Sequence, residues 1–139
     1  MDIRIATTAA EFAACYHVMR ELRNQFDSDT FVDWVHEQAN QGYVLAYIAG
    51  PSGPVSVAGY RIRENLAWGR YMQVEDIATL PAYRSKRMGS ALAQWLIAQA
   101  QQAECLTVHV DSPLGADQLQ RFCERQGFQV SAQHFSRTL

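Results

Sequence analysis

The stretch Leu80-Pro81-Ala82-Tyr83-Arg84-Ser85-Lys86-Arg87-Met88-Gly89-Ser90 joins two segments of different periodicity. Before it, Val74-Glu75-Asp76-Ile77-Ala78-Thr79-Leu80 is strand-like; after it, an amphipathic segment begins at Met88. Pro81 ends the strand, because proline lacks a backbone donor and fixes φ. Three cations then fall within four residues (Arg84, Lys86 and Arg87), and Gly89 stands where a helix should begin. A helix N-terminus has unpaired N–H groups and the positive end of the dipole, so it attracts phosphate oxygens. Neighbouring cations add charge, and Gly89 lets a backbone approach a ligand closely. Arg84, Ser85, Lys86, Arg87, Met88, Gly89 and Ser90 together read as a pyrophosphate cradle. A solvated basic turn entering a helix fits the same spacing.

The elements around the cradle follow from pattern. Ile3 and Ile5 alternate with polar neighbours as a short strand. Thr8-Ala9-Ala10-Glu11 has the spacing of a capping box, and Phe12, Cys15, Tyr16, Met19, Leu22 and Arg23 continue at helical intervals. Ser28-Asp29-Thr30 offers caps for a second helix carrying Phe31, Trp34 and Val35. Tyr43 to Ala49 and Val55 to Arg63 flank the turn cluster Gly50-Pro51-Ser52-Gly53-Pro54 and predict a hairpin, with a further strand from Arg70 to Leu80. Met88, Ala91, Leu92, Trp95, Leu96 and Gln99 mark one face of a helix reaching about Ala103. Cys105 to Val110 reads as a strand buried on both faces and parallel to 74–80, because a helical crossover joins them. A helix from about Gly115 to Gln126 should end at Gly127, and Phe128 to Thr138 should close the sheet as a last strand. The fold class is mixed α/β (α+β): a largely antiparallel sheet with one parallel strand pair, flanked by four helices.

With 139 residues, 48% hydrophobic and 19% charged, residues 1–139 are expected to form a single soluble domain. A net charge of -2 argues against a general nucleic-acid surface. No apolar run approaches membrane-spanning length, and Met1-Asp2-Ile3-Arg4 lacks a signal-peptide pattern. Cys15, Cys105 and Cys123 are scattered without metal spacing, which fits reduced thiols in a cytoplasmic protein.

The strand, Pro-x-Tyr-Arg-x-Lys-x-x-Gly-Ser and apolar helix resemble the acyl-CoA loop of the GNAT superfamily of N-acetyltransferases. Arg84 and Gly89 occupy the first and last positions of that signature, while Arg87 replaces its first glycine. Arg121-Phe122-Cys123-Glu124-Arg125-Gln126-Gly127-Phe128 is similar to a second family segment, Phe-Tyr-x-x-x-Gly-Phe. The resemblance covers the C-terminal half well and the N-terminal half by element order. It implies acetyl-CoA as co-substrate, with no metal, and a pantetheine arm whose amides pair with those of Ile77, Ala78 and Thr79 as a strand would. It also implies that the first two helices wall an acceptor site.

Acetylating an amine requires a base, because the amine is protonated near neutrality. Glu75 and Asp76 precede the cradle, and strand alternation should send them to opposite faces, so that only one faces a given pocket. Glu75 is the first choice, since the resembled enzymes often place a carboxylate there; a structural ion pair fits both residues as well. Asp111, at the end of the parallel strand, is a candidate for acceptor binding or for a helix cap. Cys123 stands where the family carries the tyrosine that protonates the leaving thiolate, and with Leu119 and Phe122 it reads better as a core thiol. His134, on the expected last strand, has an imidazole suited to replacing that acid or to binding an acceptor carboxylate, and an ordinary exposed strand histidine fits as well. Tyr43, Tyr60, Arg61 and Trp68 fit either an acceptor cleft or ordinary strands.

The resulting expectation is a cytoplasmic N-acetyltransferase that passes acetyl from acetyl-CoA to a small-molecule or peptide amine by direct attack. No nucleic-acid or membrane partner is expected, and exposed strand edges allow a homodimer. The alternatives are an acyl-CoA-binding sensor without transferase activity, suggested by Arg87 and Cys123, and an unrelated phosphate-binding domain.

Overall fold

The computed structural model describes residues 1–139. Strand β1 (Ile3–Ile5) leads into α1 (Ala9–Met19), α2 (Ser28–Ala39), and then β2 (Val44–Gly50), β3 (Gly53–Asn65) and β4 (Gly69–Thr79). A single 3-10 turn (Pro81–Tyr83) precedes α3 (Met88–Gln102), which is followed by β5 (Thr107–Val110) and α4 (Asp117–Arg125). The strands form one mixed sheet in the order β1-β2-β3-β4-β5, antiparallel from β1 to β4 with one parallel pair at β4 and β5.

Local chemistry explains the boundaries. The capping box at Thr8 forms: the Glu11 N–H donates to the Thr8 hydroxyl at 3.2 Å, and that hydroxyl lies 3.2 Å from the Glu11 carboxylate. Helix α2 is capped by Asp27, whose carboxylate accepts from the Thr30 N–H at 2.8 Å. The expected caps, Ser28 to Thr30, instead form its first turn. Gly50 pairs with Gly53 across Pro51-Ser52, and Gly53 takes φ +133° to close the hairpin.

Residues Met1–His109 form one compact unit. In its core, Phe12, Cys15, Val18 and Met19 of α1 and Phe31 and Val35 of α2 pack on Leu45, Tyr47 and Val57. Helix α3 buries Leu92 and Leu96 and sets Trp95 edge-on to Tyr60 of β3, with ring centroids 6.1 Å apart. Two expectations fail. Leu106 is 75% exposed and Thr107 is also exposed, so the 105–110 run is not buried on both faces. No strand forms after α4, although 128–138 contains β-forming residues. Residues Val110–Leu139 form the second compact unit; in it Leu119, Phe122 and Cys123 share a half-buried face of α4, and 129–139 are exposed. No helix is long and apolar enough to cross a membrane.

Candidate active site

Gly59 pairs with Asp76 and Tyr60 with Val74, so Glu75 is an extra residue in β4. This bulge overrides strand alternation: Glu75 and Asp76 both line one cleft of about 340 Å³, contrary to the expectation of opposite faces. Alternation assumes a regular ladder, and the extra residue removes that assumption.

Each carboxylate is held by an arginine. Arg61 Nε donates to Glu75 Oε2 at 2.6 Å, and Arg63 lies 4.0 Å from the same oxygen. Arg61 is only 8% exposed, and its other nitrogens donate to the Gln38 side chain and the Gln41 carbonyl. Arg23 Nε donates to Asp76 Oδ1 at 2.9 Å, while its Nη2 donates to the Glu75 carbonyl at 3.1 Å. The Tyr43 hydroxyl donates to Asp76 Oδ2 at 2.6 Å. Burial, reinforced by the Asp76 charge, raises the Tyr43 pKa well above the usual phenol value, so this donor stays neutral. Both oxygens of Asp76 are therefore engaged, whereas the bonds to Glu75 fall on Oε2.

Gly59 makes this arrangement possible. A Cβ there would overlap the Tyr43 hydroxyl, so the phenol reaches Asp76 only across a residue without a side chain. Met19, Phe26, Phe31, Trp34 and Val35 supply an apolar wall from α1, α2 and their connection. Of the four residues offered from sequence as cleft or strand, Tyr43 and Arg61 line the cleft. Tyr60 packs on Trp95 instead, and Trp68 stacks on His109 with centroids 4.0 Å apart. Arg23 and Gln38 went unassigned as site residues in the sequence. An arginine just past a helix carries no sign of a carboxylate partner 53 residues away.

Downstream on β4, Ile77, Ala78 and Thr79 pair with Ala58, Val57 and Ser56 of β3. On the other side β5 comes alongside near Arg70, whose carbonyl accepts the Leu106 N–H at 2.8 Å. Because β5 is four residues long, it runs out before 77–79. In the loop, Ser85 and Arg87 take φ 63° and 64°. Arg87 thus adopts the left-handed backbone for which glycine is suited, and α3 starts without a side-chain cap. Gly89 is instead the second residue of α3. Arg84 folds back, with Nε donating to the Thr79 carbonyl at 3.2 Å and Nη2 lying 3.8 Å from Glu21. Lys86 sits 5.4 Å over the Tyr83 ring, and Arg87 is exposed. These features fit a diphosphate: a helix N-terminus without a side-chain cap, and cations at its entrance.

Asp111 and His134 lie in the 110–139 unit, both exposed. His134 is in an irregular segment and not on a strand as expected. Burial raises the Cys123 thiol pKa, the opposite of what an activated thiol needs.

The profile of the Acetyltransferase (GNAT) family matches residues 6–128. The Bacillus subtilis protein YhdJ, described as an uncharacterized N-acetyltransferase, is 24% identical over 131 residues, covering 93% of this chain and 92% of its own. An acetyltransferase of Trypanosoma brucei superposes with a TM-score of 0.83 at 19% identity, covering 99% of both chains. AAC(6')-Iy, solved with the bisubstrate analogue CoA-S-monomethyl-acetylneamine, gives a TM-score of 0.86 at 15% identity, over 99% of this chain and 97% of that one. On the match across 6–128, this chain belongs to the GNAT acetyltransferase family.

Proposed function

We propose that the protein is a cytoplasmic N-acetyltransferase that moves an acetyl group from acetyl-CoA to a primary amine by direct attack. The observation that carries this reading is the β4 bulge, which turns Glu75 and Asp76 into one cleft immediately before residues 77–79. The CoA-bearing analogue in the structural neighbour AAC(6')-Iy supports the co-substrate.

When bound, acetyl-CoA supplies the thioester carbonyl that the amine attacks as the C–S bond breaks. The chain's own residues do the rest. The first turn of α3, with Lys86 and Arg87, holds the diphosphate, and Arg84 ties the loop to Thr79. The outer amides of Ile77, Ala78 and Thr79 pair with the pantetheine arm. Glu75 accepts the amine proton on Oε1, directly or through a water, while Arg61 fixes the carboxylate through Oε2. Asp76, held at both oxygens, is a positioning residue. We assign proton return to the leaving thiolate to the exposed imidazole of His134, and acceptor contact to Asp111; their exposure and chemistry support these roles.

A second reading, an acyl-CoA sensor without transfer, is favoured by the ion pairing of both carboxylates with arginines. A screen of amine classes with acetyl-CoA, read by product mass, separates the two. Transfer produces an amine heavier by one acetyl group, whereas a sensor binds CoA and leaves every amine unchanged.

A further inference from the structure

The wall of the cleft is a graded series of aromatic rings. Phe31 is buried in the core, Phe26 is half-buried 6.2 Å from it, and Trp34 lies 6.1 Å beyond Phe26 with 51% of its surface exposed. A tryptophan has a large apolar surface, and half of this one is left in solvent although it lines the cleft. Single exposed hydrophobic residues are common on protein surfaces. This one differs in bordering the cleft that also holds the carboxylates of Glu75 and Asp76.

The floor is charge-balanced. Arg23 and Arg61 neutralise Asp76 and Glu75 one for one, and Arg63 adds a further cation 4.0 Å from Glu75. A second or third ammonium group on an acceptor would therefore meet no unpaired carboxylate among the cleft residues, and would lose hydration without compensation. The volume of about 340 Å³ is near the lower end of small-molecule sites, which span roughly 300–1,000 Å³. We infer that the acceptor is a small monoamine with an aromatic or similarly apolar body laid against Trp34 and Phe26, and that polycationic amines are discriminated against. This deepens the acetyl-transfer reading and rests on it for the fate of the amine.

The test compares phenethylamine, ethylamine, spermidine and neamine as acceptors for the full chain with acetyl-CoA. It also measures calorimetric binding of phenethylamine and spermidine in the presence of CoA. The expected kcat/KM for phenethylamine exceeds that for spermidine or neamine by about tenfold or more. In Trp34→Ala the ratio of kcat/KM for phenethylamine to that for ethylamine falls by about tenfold, the scale of one lost aromatic contact with its buried area, and the change lies mainly in KM. Trp34→Phe restores most of the ratio. Preference for spermidine or neamine overturns the inference, as does an unchanged ratio in Trp34→Ala, and the wild-type ranking decides the matter should that variant fail to fold. If no amine is acetylated but phenethylamine binds more tightly than spermidine and depends on Trp34, the transfer reading fails and the selectivity of the cleft stands. If no amine is acetylated and that preference is absent, both fail.

Discussion

Glu75 and Asp76 are adjacent and both ion-paired, yet their bonding separates their roles. Glu75→Gln should lower kcat/KM by roughly 10²-fold, the usual scale for a positioned base. The loss should shrink at high pH, where more of the amine is already neutral, and CoA affinity should hold. A pH series of initial rates with parallel CoA titrations checks this; an equal loss at every pH would assign Glu75 to structure. Gly59 supports the pair from behind. Gly59→Ala should destabilise the fold by about 1–3 kcal/mol, because the new methyl must displace the Tyr43 ring. Thermal unfolding measures that cost, and Tyr43→Phe provides the comparison, since it removes the hydroxyl in the way and also the bond to Asp76.

At the scale of elements, the start of α3 and the start of α1 make separate predictions. Arg87 holds a left-handed backbone that costs a non-glycine residue about 1 kcal/mol or more, so Arg87→Gly should raise the melting temperature while weakening CoA binding. Replacing both Arg84 and Arg87 with alanine should weaken CoA binding by tens-fold, through one lost charge-assisted contact at Arg87 and the loss of the Arg84 bond that ties the loop to Thr79, and leave the remaining affinity less salt-sensitive than that of wild type. Calorimetry at two ionic strengths reads both effects. At α1, Glu11 accepts from the Tyr47 hydroxyl at 2.8 Å and from the Thr7 N–H at 3.2 Å, bonds that lower its pKa from the ordinary 4.5. A lowered carboxylate pKa stabilises the fold above the unfolded value, and the contribution is lost as pH falls through the folded one. Stability should therefore drop on acidification below pH 4.5, and Glu11→Gln should flatten that acid limb in denaturant titrations.

For the whole molecule, what was legible in the sequence was local. The Thr8 capping box, the Gly50–Gly53 turn, Pro81 ending β4 and the cations before α3 each act within a few residues, and their elements form where the pattern puts them. What was hidden depends on register. One extra residue opposite Gly59 and Tyr60 brings Glu75 and Asp76 to one side, and nothing in the composition of β4 announces it. The partners of those carboxylates, Arg23 and Arg61, are likewise set by packing across the sheet. The expected last strand fails for a related reason: β-forming residues such as Val130 and Phe135 form a ladder only where a neighbouring edge pairs with them, and here they are exposed. The proposed activity is transfer of acetyl from acetyl-CoA to an amine in this cleft. Its most direct test is mass analysis of an amine panel incubated with acetyl-CoA and wild-type protein, with thiol release followed in parallel and Glu75→Gln as the comparison. The expected result is an acetylated primary amine formed one for one with free CoA, strongly reduced in Glu75→Gln. Tight CoA binding with no acetylated amine in any class, or equal yields from the two proteins, would contradict it.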